Sequence, residues 1–167
     1  MRYLTKKRWE GARSDTGAEA ARGWRKGLRA YREQLETLRP CFPDEVFAFF
    51  DRADIHEGEL LRLDIGDGGE PVRVALAIRD VYDRQSWTLQ YGSARRAVVE
   101  VPPPRQHDGE GFGEVACHEL TDCGEGYFRH EILFASGATL LFEFREIAVQ
   151  RSERDGGQAP DVQATPA

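Results

Sequence analysis

Between residues 17 and 38 apolar side chains recur in steps of three and four: Ala21, Trp24, Leu28, Tyr31, Leu35 and Leu38. That spacing is one face of a helix. Thr16 with Glu19 three residues on fits a capping box at its start, and Pro40 stops the run. The opposite face holds Arg22, Arg25, Lys26, Arg29 and Arg32, so the helix is apolar inside and basic outside. Pro43, followed by Asp44 and Glu45, suits the positive end of a second, short helix that carries Val46, Phe47, Phe49 and Phe50 inward.

From Asp54 the period changes to two. Leu61, Leu63 and Ile65 alternate with Leu60, Arg62 and Asp64; Gly66-Asp67-Gly68-Gly69 is a turn signal; Val72, Val74, Leu76 and Ile78 alternate again, which predicts a hairpin with one buried face. Further strands are expected over 87–91, 97–101, 114–122, 127–134 and 139–146. Pro102-Pro103-Pro104 ends the second of these, because proline donates no ladder hydrogen bond. The Pro- and Gly-rich stretch 102–113 reads as a long loop. Ala135-Ser136-Gly137 fits a three-residue hairpin loop with glycine left-handed. This register sets Ile132 against Leu140, His130 against Phe142, Phe128 against Phe144 and Arg129 against Glu143. A preceding loop at Cys123-Gly124-Glu125 would then pair Leu120 with Phe128, His118 with His130 and Glu119 with Arg129. One face would be apolar with two histidines, and the other a Glu119–Arg129–Glu143 charge ladder.

These elements predict an α+β fold: an N-terminal amphipathic helix and a short second helix packed on one face of a mostly antiparallel sheet of about six strands. A single domain over 1–151 would comprise a helical region (1–53) and a β-rich region (54–151), followed by a disordered tail over 152–167, where periodicity is absent.

Charge adds an asymmetry. The net charge of −6 divides unevenly, since residues 1–39 hold 11 basic and 5 acidic side chains, a net +6, and the remainder is −12. A basic arm can serve nucleic acid or an acidic partner, but the apolar stripe favours docking of the helix on its own acidic body. The mean hydropathy of −0.58 and the absence of any apolar run near the roughly 18 residues of a spanning helix argue against membrane insertion. The basic opening leads into no apolar segment of a secretory signal. Cys41, Cys117 and Cys123 are an odd set with no Cys-x-x-Cys pair, as expected of reduced thiols in the cytoplasm. Of 23 basic residues 20 are arginine, a bias that fits a GC-rich bacterial genome.

The opening Met1-Arg2-Tyr3-Leu4-Thr5-Lys6, the stretch Asp54-Ile55-His56-Glu57-Gly58-Glu59-Leu60-Leu61 and the run from Tyr127 to Phe144 together resemble an uncharacterised family of bacterial domain-of-unknown-function proteins. The resemblance implies an N-terminal helical region, shorter here than in that family, and a β-rich half opening at a His-acid motif; it implies no activity. His56-Glu57 is also similar to the His-Asp motif that opens the sheet in small immunity proteins of bacterial toxin systems, with glutamate in place of aspartate. That likeness implies a binding module.

His56, Cys117, His118, Cys123 and His130 are all groups that zinc accepts. However, adjacent Cys117 and His118 face apart in a strand, and Cys117-x5-Cys123 is not a zinc-knuckle spacing. A hydrolase would take His56 as general base, oriented by Glu57 or Asp54, but no Gly-x-Ser-x-Gly elbow supplies a nucleophile. The glycine-rich stretches 66–69 and 109–113 lack the lysine and following helix of a phosphate loop. Nucleic-acid binding would rest on Arg22, Arg25, Lys26, Arg29 and Arg32 with Lys6, Lys7 and Arg8, and on Trp9 and Trp24 for stacking, against an acidic body. The expectation is therefore a non-enzymatic protein-interaction module with an unidentified protein partner, no cofactor and no catalytic or metal-ligating residue. A metal-binding protein or hydrolase using His118, His130 and His56, or a nucleic-acid binder through the Arg-rich helix, stands as the alternative.

Overall fold

The computed structural model describes residues 1–13, 18–53, 55–66, 72–80, 85–103 and 111–153. Helix α1 (Lys6–Arg13) and helix α2 (Ala18–Leu38) lead through a 3-10 turn (Arg39–Cys41) to α3 (Asp44–Arg52). Eight strands follow: β1 (Glu59–Gly66), β2 (Val72–Arg79), β3 (Gln85–Ala94), β4 (Arg96–Glu100), β5 (Val115–Gly124), β6 (Tyr127–Phe134), β7 (Thr139–Phe144) and β8 (Glu146–Glu153). They form two antiparallel four-stranded sheets, ordered β1-β2-β3-β8 and β4-β7-β6-β5. The expected α+β class holds. Among the described residues no helix is long and apolar enough to cross a membrane.

Two continuous chain segments, β3 into β4 and β7 into β8, run through both sheets. The β3–β8 ladder ends at Gly92 opposite Glu146, and the β4–β7 ladder resumes at Arg96 opposite Glu143. Arg95 N–H donates to Glu143 O (2.9 Å) and Arg145 N–H to Gly92 O (3.2 Å) across the corner between them. Ser93, at φ 50°, absorbs the bend on one strand. Residues 85–100 and 139–153 are thus two long bent strands, so the eight segments run along six chain paths. This accounts for the difference from the expected count of about six. It also splits the strand expected over 139–146 and carries β8 to Glu153, beyond the tail boundary expected at Ser152.

The outermost strands meet at one end. Glu59 bridges Glu114, Glu57 N–H donates to Val115 O, and Val115 N–H donates to Gly58 O, the latter two at 2.8 Å. The His56-Glu57 turn therefore sits on a seam that closes the sheet. Gly58 is required there by space: a Cβ would lie 2.6 Å from Arg79 O and 2.8 Å from Ile55 O.

The core lies inside this bent sheet, where Leu76, Ile78, Leu89, Leu120, Ile132, Leu140, Phe142 and Phe144 are fully buried. Helix α3 caps it, with Phe49 5.3 Å from the Trp87 ring and Phe50 4.9 Å from His130. Helix α2 buries Tyr31, Leu35 and Leu38 of its predicted stripe, and Tyr31 Oη accepts the Leu120 N–H (3.2 Å) from β5. The N-terminal segment and the unanticipated α1 bury Leu4 and Trp9.

Four expectations need correction. A bulge between Leu60 and Arg62 reverses the strand parity in β1. Leu60, not Leu61, therefore packs on the core, while Leu61 and Ile65 stay exposed. The β6–β7 register is as expected at all four pairs. The β5–β6 register is not, because the turn is the two-residue Glu125-Gly126 with φ of 57° and 74°, the left-handed pair that tight hairpins favour. Leu120 consequently pairs with His130, His118 with Ile132 and Glu119 with Glu131. The third correction follows from the second: Glu119 leaves the charge ladder, and only Arg129–Glu143 (2.7 Å) remains of it. Finally, the apolar stripe of α2 docks as expected, but Arg22, Arg25, Lys26, Arg29 and Arg32 remain exposed. None of the five forms an ion pair with another described residue. The Thr16 capping box, Asp54, the turn residues 67–69 and loop residues 104–110 lie outside the described residues.

Candidate binding cleft

His118 and His130 point into the core from neighbouring strands. They are offset by one pair rather than directly opposed, yet His118 Nδ1 lies 3.1 Å from His130 Nε2, and Tyr91 Oη lies 2.7 Å from His130 Nδ1. The Tyr91 hydroxyl is buried, and burial raises its pKa well above the ordinary value, so it keeps its proton. Its one partner among the described residues is His130 Nδ1, so the hydroxyl donates there. That assigns the proton of neutral His130 to Nε2, which donates to His118 Nδ1, and the proton of neutral His118 to its own Nε2. Burial lowers the His118 pKa to about 4. Burial, with the neighbouring His118, holds His130 well below its usual range. Both imidazoles are neutral near pH 7.

His118 forms part of the lining of an open cleft of about 430 Å³ between α2, α3 and β5. Trp24, Leu28, Leu35, Phe50 and Ile55 supply apolar walls, and Arg32, Asp51, Arg52 and His56 supply polar groups. With Nδ1 engaged, the group His118 can offer is the Nε2–H, a donor suited to a carbonyl or carboxylate rather than to a cation.

The five residues considered as metal ligands converge only in part: His118 touches His130, and His56 and Cys117 line the same cleft as His118. Cys117, at the cleft wall beside Leu4, donates to Leu4 O (3.4 Å). Burial, with Glu119 nearby, pushes its thiol up to about 12, so it is inert as a nucleophile. His56 is exposed on the seam with Nδ1 3.8 Å from Glu57 Oε1. Cys123 lies in the β5–β6 bulge beside Arg129 and Arg95, where burial outweighs the arginines and raises its pKa. Among the described residues, no group of three or more His, Cys, Asp or Glu side chains could hold a metal ion.

Glu119 is fully buried on the outer face. Its carboxylate accepts the N–H of Arg2 as well as those of Tyr3 and Leu4, both at 3.0 Å, while Glu131 opposite pairs with the Met1 amino group at 2.5 Å. These donors explain how two carboxylates tolerate direct opposition. Of the two tryptophans considered for base stacking, Trp9 is buried in the core, and Trp24 lines the cleft.

Sequence reasoning missed a cluster at the sheet corner. Arg95 Nε (2.9 Å) and Arg129 NH2 (2.7 Å) both bond Glu143, and Arg96 NH1 approaches it at 3.7 Å. Arg95 and Arg145 lie over the Tyr127 ring at 4.1 and 4.4 Å from its centroid. Four separate elements contribute, so no sequence spacing announces the cluster.

No protein-family model matches the chain, and no curated protein matches it. Among solved structures it is similar to an uncharacterized protein from Neisseria gonorrhoeae, at 14% identity and a TM-score of 0.43, over 57% of this chain and 91% of that chain. A likeness at that level carries neither fold nor function across.

Proposed function

We propose that this protein is a non-enzymatic, cytoplasmic protein-interaction module that neutralises or scaffolds an acidic partner, whose apolar anchor enters the cleft between α2, α3 and β5. The observation that carries this reading is the division of α2. Its Arg22, Arg25, Lys26, Arg29 and Arg32 face solvent, while Trp24 and Leu28 of the same helix line the cleft. A segment with an apolar side chain beside carboxylates complements both surfaces, and the His118 Nε2–H would read an acceptor on it. Catalysis is the weaker reading because His118, with a pKa near 4, is a poor base at neutral pH. Nucleic acid would use the same arginines, but it loses Trp9 as a stacking platform and meets an acidic body.

The test is a titration of isotope-labelled protein with a short Glu-rich peptide containing Leu and Phe, and separately with an oligonucleotide of equal charge. Expected is a saturable shift of the Leu28, Phe50 and His118 resonances with the peptide, weakened about tenfold in Arg25→Glu/Arg29→Glu. Tighter binding of the oligonucleotide, with a steep salt dependence, would overturn the reading in favour of nucleic acid. Peptide shifts that bypass the cleft would overturn it as well.

A further inference from the structure

We propose that the arginine cluster at the sheet corner is a second binding site, specific for a phosphoryl oxyanion, and independent of the cleft. Arg95 and Arg96 come from the β3–β4 corner, Arg129 from β6 and Arg145 from the β7–β8 corner. Facing them are Glu143, which is nearly buried, and Glu125, exposed and 3.6 Å from Arg95 NH1. Four guanidinium groups against two carboxylates leave two positive charges in the β-rich half of a chain whose residues 40–167 carry a net −12. Glu146, the next residue along, folds its carboxylate toward Gly92. Glu131 also acts on Arg129 but is paired with the Met1 amino group, and the Cys123 thiol lies beside Arg129 and Arg95.

Two features distinguish this cluster from an ion-pair network that merely neutralises Glu143. Three guanidiniums share that one carboxylate, which exceeds what charge balance requires. Arg145 makes no ion pair with a described residue; its contact is the Tyr127 ring, over which Arg95 also lies. Stacking on a ring fixes a guanidinium plane while leaving its in-plane N–H donors free. Each guanidinium has five donors, and hydrogen bonds to Glu143 use one on Arg95 and two on Arg129. The remaining donors lie at one corner of the sheet, and a tetrahedral dianion can bridge several guanidiniums at once and offset their mutual repulsion. A single carboxylate delivers half that charge, so a phosphoryl group is the better match, free or carried on a peptide side chain.

The experiment follows arginine Nε–Hε resonances while inorganic pyrophosphate, and in a second arm a phosphoserine peptide, is added at constant ionic strength. Expected are saturable shifts at Arg95 and Arg145 in both arms, with affinity about tenfold weaker in Arg145→Gln and only partly restored in Arg145→Lys, which keeps charge but not the planar fork. Arg96→Gln, which removes no hydrogen bond to Glu143, provides a second variant with the same expected direction. Melting temperature is read alongside: a purely structural network predicts that Arg145→Gln lowers stability and leaves pyrophosphate affinity unchanged, and that result would overturn the site. Shifts confined to the basic face of α2, or none that saturate in either arm, would overturn it too. Saturation by pyrophosphate without the peptide supports a free phosphate as ligand, and the converse a phosphorylated partner. Arg25→Glu/Arg29→Glu leaves these shifts unchanged, so failure here and failure of the cleft reading are separately visible.

Discussion

Mild acidification should destabilise the protein through the histidine pair, in which His130 is buried and His118 half-buried, before its carboxylates titrate. An unfolded histidine takes up a proton near pH 6.5, whereas folded His118 does so only near pH 4 because burial opposes the charged form. The folded pKa is depressed, so between these limits the unfolded state binds more protons than the folded one, and stability falls as pH falls. Each pH unit inside that window costs up to about 1.4 kcal/mol per histidine. From pH 7 to pH 5 His118 alone accounts for a loss of about 2 kcal/mol, and His130, shifted in the same direction, adds to it. The stabilising ion pairs of Glu143 protonate at lower pH, since Arg129 and Arg95 hold its carboxyl below the usual value.

Urea unfolding from pH 8 to pH 5 measures this, with His118→Gln as the comparison. The wild-type curve should be flat above about pH 7 and decline below about 6.5. The variant should start less stable and decline less steeply, because one of the two protonation-linked groups is gone. Parallel slopes for the two proteins would refute the reasoning, as would a wild-type stability that is level down to pH 5. Either result would mean that His118 protonates in place, with the cleft admitting enough water to solvate the imidazolium.

Three further outcomes follow from the geometry. Tyr91→Phe removes the donor to His130 Nδ1 at 2.7 Å and should cost about 1–3 kcal/mol, while nitrogen chemical shifts of His118 report the tautomer chain losing its fixed direction. Glu119→Gln replaces an acceptor of three backbone N–H groups with one that carries its own donors; a loss of about 1.5–3 kcal/mol and faster amide exchange at Tyr3 and Leu4 are expected. Gly58→Ala places a methyl against two backbone carbonyls and should cost about 1–3 kcal/mol, with faster exchange of the Glu57 and Val115 amides that join the sheet ends.

Legibility in the sequence followed the range of the interaction. Helix α2, helix α3 and the β6–β7 hairpin were readable because periodicity and a three-residue loop specify them locally. Helix α1 was not: its side chains are mostly polar, and burial of Trp9 in the core is a tertiary event that no local pattern announces. The seam at Glu57–Glu59 and the corner arginines likewise join residues far apart in sequence. The exposure of Leu61 was hidden for a different reason, since a bulge between Leu60 and Arg62 exchanges the faces of Leu60 and Leu61 while Leu63 keeps its place on the core.

The two register errors differ in consequence, and the difference explains why the histidine site survived one of them. A one-residue bulge in β1 exchanges the faces, so Leu60 and Leu61 traded core for solvent. The β5–β6 shift is two residues at the histidines, which preserves the parity of each strand: His118, Leu120 and His130 still face the core, and only their partners change. A diagonal neighbour across a sheet remains within reach of long or aromatic side chains, and the two imidazoles meet at 3.1 Å from offset positions. Glu119 had no such tolerance. Moving it from opposite Arg129 to opposite Glu131 reversed the sign of its neighbour, and the Arg2, Tyr3 and Leu4 amides, with the Met1 amino group at Glu131, supply the compensation instead. Sites built on face membership are thus recoverable from an approximate register, whereas charge pairing requires the correct one. The N-terminal segment over β5 and β6 is the structural price of that difference.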